Sequence, residues 1–153
     1  MAVVDFSLRD KVAVVTGGSR GIGRSIALGL AEAGADIVIA ARKPEPIAEA
    51  VAAVEATGRR ALGVPTNVRR LEDLEALVAR TREAFGRLDI LVNNAGTNPV
   101  YGPVQEIDER AWDMIMNSNV KALHFLSNFA RELMVEGGQG GSIITVSSEG
   151  GCR

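Results

Sequence analysis

The run Thr16-Gly17-Gly18-Ser19-Arg20-Gly21-Ile22-Gly23 stands between residues 11–15 (KVAVV) and a segment whose apolar residues Ile22, Ile26 and Leu30 recur at helical spacing. The first flank reads as a buried strand and the second as an amphipathic helix. A glycine-rich turn between the two has one obvious chemistry, the holding of phosphate. Glycine lets the backbone turn sharply and come close to a ligand. The helix beyond it offers unpaired N–H groups and the positive end of its dipole. The sequence therefore points to a bound nucleotide cofactor, with Gly17, Gly21 and Gly23 shaping the cradle and Ser19, Arg20 and Ile22 set within it.

A second polar cluster, Asn93-Asn94-Ala95-Gly96, follows another apolar run, residues 88–92 (LDILV). The elements that must position both clusters alternate along the chain. Gly34 ends the first helix, and residues 35–41 (ADIVIAA) read as a second strand. Pro46 is placed at the first position of the next helix, whose apolar face is Ile47, Val51 and Val54 and whose stop is Gly58. Residues 60–64 form a third strand, and Leu71, Leu74, Val78 and Phe85 mark a third helix closed by Gly86. Asp108 N-caps a long helix running past Met134, and residues 142–147 (SIITVS) make a fifth strand. This alternation implies an α/β chain with a doubly wound, Rossmann-type parallel sheet of order 3-2-1-4-5 and helices on both faces. Ligands of such sheets bind beyond the carboxyl ends of the strands, at the switch between strands 1 and 4, where both polar clusters fall.

Composition narrows the partners. The 153 residues, 46% hydrophobic and 24% charged, are expected to form a single domain over residues 1–153 with a real core. A net charge of −2 provides no basic footprint for nucleic acid. No apolar run approaches a membrane span and no secretory leader is visible, so a cytoplasmic location without membrane partners is expected. The single cysteine, Cys152, excludes an internal disulfide and has no metal-ligand pattern around it, so no metal is expected. The single histidine, His124, is assigned to surface or packing, and Trp112, Phe125 and Phe129 to core or interface.

The glycine spacing is G-x-x-x-G-x-G with a threonine ahead, not G-x-G-x-x-G. Together with residues 88–96 (LDILVNNAG), 112–121 (WDMIMNSNVK) and 141–148 (GSIITVSS), it resembles the short-chain dehydrogenase/reductase family from about residue 11 onward. The resemblance implies an oxidoreductase that moves hydride between a nicotinamide dinucleotide and a small carbonyl or alcohol substrate, working as a homo-oligomer.

In dinucleotide folds an acid at the end of the second strand binds the ribose 2′-hydroxyl, whereas an arginine accommodates a 2′-phosphate. Ala41 and Arg42 stand at that point, Asp36 opens the strand at the wrong end, and Arg20 adds charge from the loop. A charge-assisted bond to phosphate contributes about 1.5–3 kcal/mol. NADP(H) is thus expected over NAD(H); the plainer reading leaves Arg42 merely solvated. By resemblance, Asn67 and Val68 surround the adenine. Asn93, Ala95 and Gly96 run along the cofactor ribose, although Asn93 and Asn94 could equally hold the central sheet together. Asn117, Ser118 and Asn119 interrupt an apolar helix with mediocre helix formers, and a buried amide requires polar neighbours. The resemblance makes Asn119 the helix asparagine that holds a water in the proton relay, against a plain kinking amide. It makes Ser148 the catalytic serine that hydrogen-bonds the substrate carbonyl oxygen, against an ordinary strand-end serine.

The family's Tyr-x-x-x-Lys pair, a general acid and a ribose-holding lysine, has no counterpart here, since the single tyrosine, Tyr101, is followed four residues on by Gln105. The expectation is a C-terminally incomplete domain, truncated after strand five, with feeble or absent hydride transfer on its own. Loss of a general acid lowers rates by about 10²–10⁴. The alternatives are a non-catalytic dinucleotide-binding or subunit-pairing module, or a prematurely stopped product. The same expectation leaves strand five as an edge, with Ile143, Ile144 and Val146 apolar on both faces, and bares an apolar face on the long helix.

Overall fold

Five parallel strands form one sheet in the order β3-β2-β1-β4-β5, as the alternation of elements requires. The computed structural model describes residues 5–148; Cys152 lies outside them. The strands are β1 (Val12–Thr16), β2 (Asp36–Ala41), β3 (Ala61–Pro65), β4 (Ile90–Asn93) and β5 (Ser142–Thr145). The helices are α1 (Gly21–Glu32), α2 (Pro44–Glu55), α3 (Leu71–Phe85), α4 (Glu109–Met116) and α5 (Ala122–Glu136).

Burial on both faces explains why the central strands are apolar without alternation. Successive side chains of β1 point to opposite faces. Val12 and Val14 join Leu74, Leu77, Leu126 and Leu133 under α3 and α5, while Ala13 and Val15 join Ala27, Ile47, Ala50 and Val54 under α1 and α2. β1 pairs with β2 and β4 in a register that sets Val15 beside Ile39 and Val92, so these three strands end level with one another. β3 is an edge strand, which is why Pro65 is tolerated at its end.

Two local expectations are corrected. The second helix opens at Pro44, not Pro46; both prolines fit its first turn, and Pro44 takes the initial position. The long helix is not continuous. Asp108 does cap it, accepting a bond from the Ala111 N–H at 2.7 Å, but a π-helical turn over Asn117–Lys121 separates α4 from α5. There the Ala122 N–H reaches back to the Asn117 carbonyl, five residues earlier. Of the two places expected for Trp112, core or interface, its 55% exposure removes the first, whereas Phe125 and Phe129 pack, half-buried, against the first core cluster. His124 is exposed, edge-on to Phe125 and 3.3 Å from the Asn128 amide.

Candidate functional site

The cleft lies where the carboxyl ends of β1, β2, β3 and β4 meet the start of α1, and its volume is about 660 Å³. Its floor is a join between two loops. The Thr16 hydroxyl donates to the Val92 carbonyl and accepts from the Asn94 and Ala95 N–H groups, both at 3.0 Å. The Asn94 amide in turn donates to the Thr16 carbonyl at 2.9 Å. The glycine turn after β1 and the Asn-Asn-Ala-Gly loop after β4 are therefore one structural unit.

Two glycines in this unit are required. Gly17 has φ of +65°, a region where side chains are strained, and a Cβ on it would lie 2.9 Å from the Asn94 amide nitrogen. A Cβ on Gly23 would collide with the Gly17 carbonyl oxygen. α1 starts at Gly21 after an extended Arg20, and no side chain caps it. Its first-turn N–H groups therefore open onto the cleft without a side-chain acceptor, the arrangement that receives an anionic oxygen.

Gly17, Ser19, Arg20, Gly21, Ile22, Gly23, Arg42, Asn67, Val68, Ala95 and Gly96 all line this cleft. Asn93 does not. It is buried, and its amide donates to the Ser127 hydroxyl at 3.2 Å, tying β4 to α5. Asn119 stands at the margin and spends both amide atoms on one residue: its Oδ1 accepts from the Thr97 N–H at 2.9 Å and its Nδ2 donates to the Thr97 carbonyl at 2.8 Å. One member of the polar triplet in the helix thus has its cause. Asn119 clamps the loop that leaves the cleft. Ser148 is exposed and follows β5, outside the residues that line the cleft.

Sequence reasoning missed Lys43, Thr66, Arg69, Thr97, Met114 and Ser118, which also line the cleft. Lys43 and Arg69 adjoin predicted residues and were within reach of the same argument. Met114 and Ser118 sit four apart, a helical spacing that only the packing of α4 over the cleft makes meaningful.

The electrostatics separate the two ends of the sheet. Four basic residues, Arg20, Arg42, Lys43 and Arg69, line the cleft together with no aspartate or glutamate. Among the described residues none of the four joins an ion pair within 4.0 Å. The buried acids stand at the opposite, amino ends of the strands. Asp36 bonds Arg59 and Arg60, both at 2.8 Å, and Asp89 is held by Arg87, by Lys11 and by the Val12 N–H at 2.9 Å. Burial pushes both carboxyls up, but the arginine bonds outweigh it and hold both below the ordinary aspartate range.

A dinucleotide fits what the chain provides: glycines that allow a tight turn, uncapped helix N–H groups for a diphosphate, and unpaired cations for further anionic groups. The comparisons agree. The family model described as short chain dehydrogenase matches residues 11–153. A short chain dehydrogenase/reductase of Aspergillus oryzae, astE, is 46% identical over 144 residues, which are 94% of this chain and 55% of that protein. The 2-dehydro-3-deoxy-D-gluconate 5-dehydrogenase of Escherichia coli is 42% identical over 157 aligned residues, covering 100% of this chain and 61% of that one. A solved short chain dehydrogenase of Burkholderia cenocepacia, in complex with NADP, superposes with a TM-score of 0.86 at 41% identity, covering 92% of this chain and 56% of that chain. The chain thus spans little more than half the length of the relatives it matches. Glycine turn, Asn-Asn-Ala-Gly loop, sheet order and relatives all agree: the chain belongs to the short-chain dehydrogenase/reductase family.

Proposed function

We propose that this chain is the cofactor-binding portion of an NADP(H)-dependent oxidoreductase acting on a small carbonyl or alcohol substrate. The observation that carries the reading is the charge of the cleft. Arg42 and Lys43 follow the end of β2, Arg20 lines the same cleft from the glycine loop, and no carboxylate lines the cleft to repel a 2′-phosphate. Each charge-assisted bond to that phosphate contributes about 1.5–3 kcal/mol. The NADP complex of the Burkholderia relative supports the same choice.

The bound coenzyme supplies or accepts the hydride; the chain binds and orients it. The α1 N–H groups and the glycine turn hold the diphosphate, Asn67 and Val68 flank the adenine, and Ala95 and Gly96 run beside the ribose. Asn119 fixes the loop through Thr97 and keeps one lone pair on Oδ1 and one N–H on Nδ2 for a water of the proton relay. Ser148 hydrogen-bonds the substrate carbonyl oxygen. Tyr101, 91% exposed in the loop before α4, is no substitute for a general acid held against the substrate. These 153 residues on their own are therefore expected to bind dinucleotide and to transfer hydride feebly or not at all. We further propose that the chain assembles with copies of itself.

Fluorescence or calorimetric titration with NADPH and NADH tests the reading. NADPH should bind at least tenfold more tightly, and Arg42→Asp should reverse that order. Equal affinity for both coenzymes, or discrimination untouched by the substitution, refutes the assignment.

A further inference from the structure

Asp73 stands in the first turn of α3, yet its carboxylate does not serve the helix. Arg70 is the N-cap of α3, and no side chain caps it. A carboxylate three residues beyond an N-cap usually reaches back to the N–H of that residue. Asp73 passes it over and accepts instead from the Asn67 N–H, six residues earlier, at 2.8 Å. The Arg70 N–H is left to donate to the Asn67 carbonyl at 2.9 Å, and the Arg69 N–H donates to Asn67 Oδ1 at 3.2 Å. Just ahead, the Thr66 N–H donates to the Ala41 carbonyl at 2.7 Å, which ties the same turn to the end of β2.

Asn67 is therefore held at its N–H, its carbonyl and its side-chain oxygen. Its amide nitrogen has no protein acceptor among the described residues, and Asn67 lines the cleft. Asp73 itself does not line the cleft, where a carboxylate would oppose a phosphate; Arg70 Nε lies 3.8 Å from its Oδ1. We propose that Asp73 is a positioning residue for the adenosine half of the dinucleotide, which rests on the reading of the cleft given above. It sets the backbone of Asn67 before the ligand arrives and so aims the amide nitrogen into the cleft. A loop already held in its binding shape spares the ligand the cost of ordering it, and affinity falls in proportion as that shape is less populated.

The test is titration of the full chain with NADPH and with adenosine 2′,5′-bisphosphate, which carries the adenosine half alone. Asp73→Ala should weaken both ligands by the same factor, about three- to tenfold, the worth of one hydrogen bond. Asp73→Asn keeps an acceptor oxygen and should recover most of the loss. Thr81→Ala, two turns further along α3, removes a buried hydroxyl bonded to the Leu77 carbonyl and so lowers stability alone; it should leave both affinities unchanged. Undiminished affinity of the Asp73→Ala chain, a loss confined to NADPH, no recovery with asparagine, or an equal loss in Thr81→Ala overturns the proposal. If the Asp73→Ala chain does not fold, hydrogen exchange of the unsubstituted chain decides. An Asn67 N–H protected before any ligand is added supports the proposal, and one that exchanges as in a free peptide overturns it. An unsubstituted chain that binds neither ligand overturns the dinucleotide reading itself, a result distinct from failure at Asp73.

Discussion

Gly23 and Gly29 lie within the same helix, yet their environments are opposite. A Cβ on Gly23 meets the Gly17 carbonyl oxygen and comes within 2.5 Å of the Asn94 amide, which is itself held by its bond to the Thr16 carbonyl. A Cβ on Gly29 meets nothing within 4 Å. Gly23→Ala should destabilise the fold by about 1–3 kcal/mol, the usual cost of overpacking, and weaken dinucleotide binding more than tenfold. Gly29→Ala should stabilise it by about 0.5–1 kcal/mol through helix propensity. Urea denaturation of both variants measures the contrast, and similar behaviour at the two sites would refute the close-packing account. At this scale the glycines were legible because their requirement is local to the backbone. Ser118, Met114 and the Asn119–Thr97 clamp were not, since each has meaning only once α4 lies over the loops. The amide triplet did announce that something polar was needed, without saying what.

The strands depend on acids placed where the sheet begins, away from the cleft. Asp89 joins β4 to β1 through the Val12 N–H, and Asp36 anchors the start of β2 to Arg59 and Arg60 before β3. Both carboxyls have pKa values below their ordinary one of 3.8, against the opposing push of burial. A carboxyl lowered on folding contributes stability above its unfolded pKa and loses it as pH falls through the lower, folded value. Stability from these two clusters should therefore be whole near neutrality and decline progressively below about pH 4. Asp89→Asn should cost about 2–3 kcal/mol at pH 7, the worth of a buried bond to a charged group, and should flatten the acid limb of the curve. Thermal melts from pH 3 to 7 read both effects; an unaltered acid limb would show that Asp89 does not carry it. The strands were readable because burial on both faces leaves uninterrupted apolar runs, and their order follows from alternation with helices. The π turn was not readable, because it shifts hydrogen bonding by one residue while keeping helical spacing on either side.

At the scale of the whole molecule, apolar surface is exposed on the last strand and on the fourth helix with the π turn after it. β5 is an edge strand whose Ile143 and Ile144 are 43% and 47% exposed, and Val146 just beyond it is 37% exposed. Trp112, Met116 and Val120 carry apolar surface along α4 and the π turn, with Val120 53% exposed. Edge strands with apolar faces pair readily with other chains, and contiguous apolar patches mark contact surfaces. The 153-residue chain alone should self-associate and enhance the fluorescence of an apolar dye, and Ile144→Lys should reduce both by placing charge on the edge. Light scattering that finds a monomer with no dye response would contradict this. The join between Thr16 and Asn94 carries a last consequence. The two halves of the cleft are 78 positions apart along the chain, so an unfolded polypeptide has no trace of the pocket and any occupant must act as a brace for the native state. At a hundred times its dissociation constant such an occupant adds about 2.7 kcal/mol of resistance to unfolding, which ties how long the protein survives in solution to how much coenzyme surrounds it.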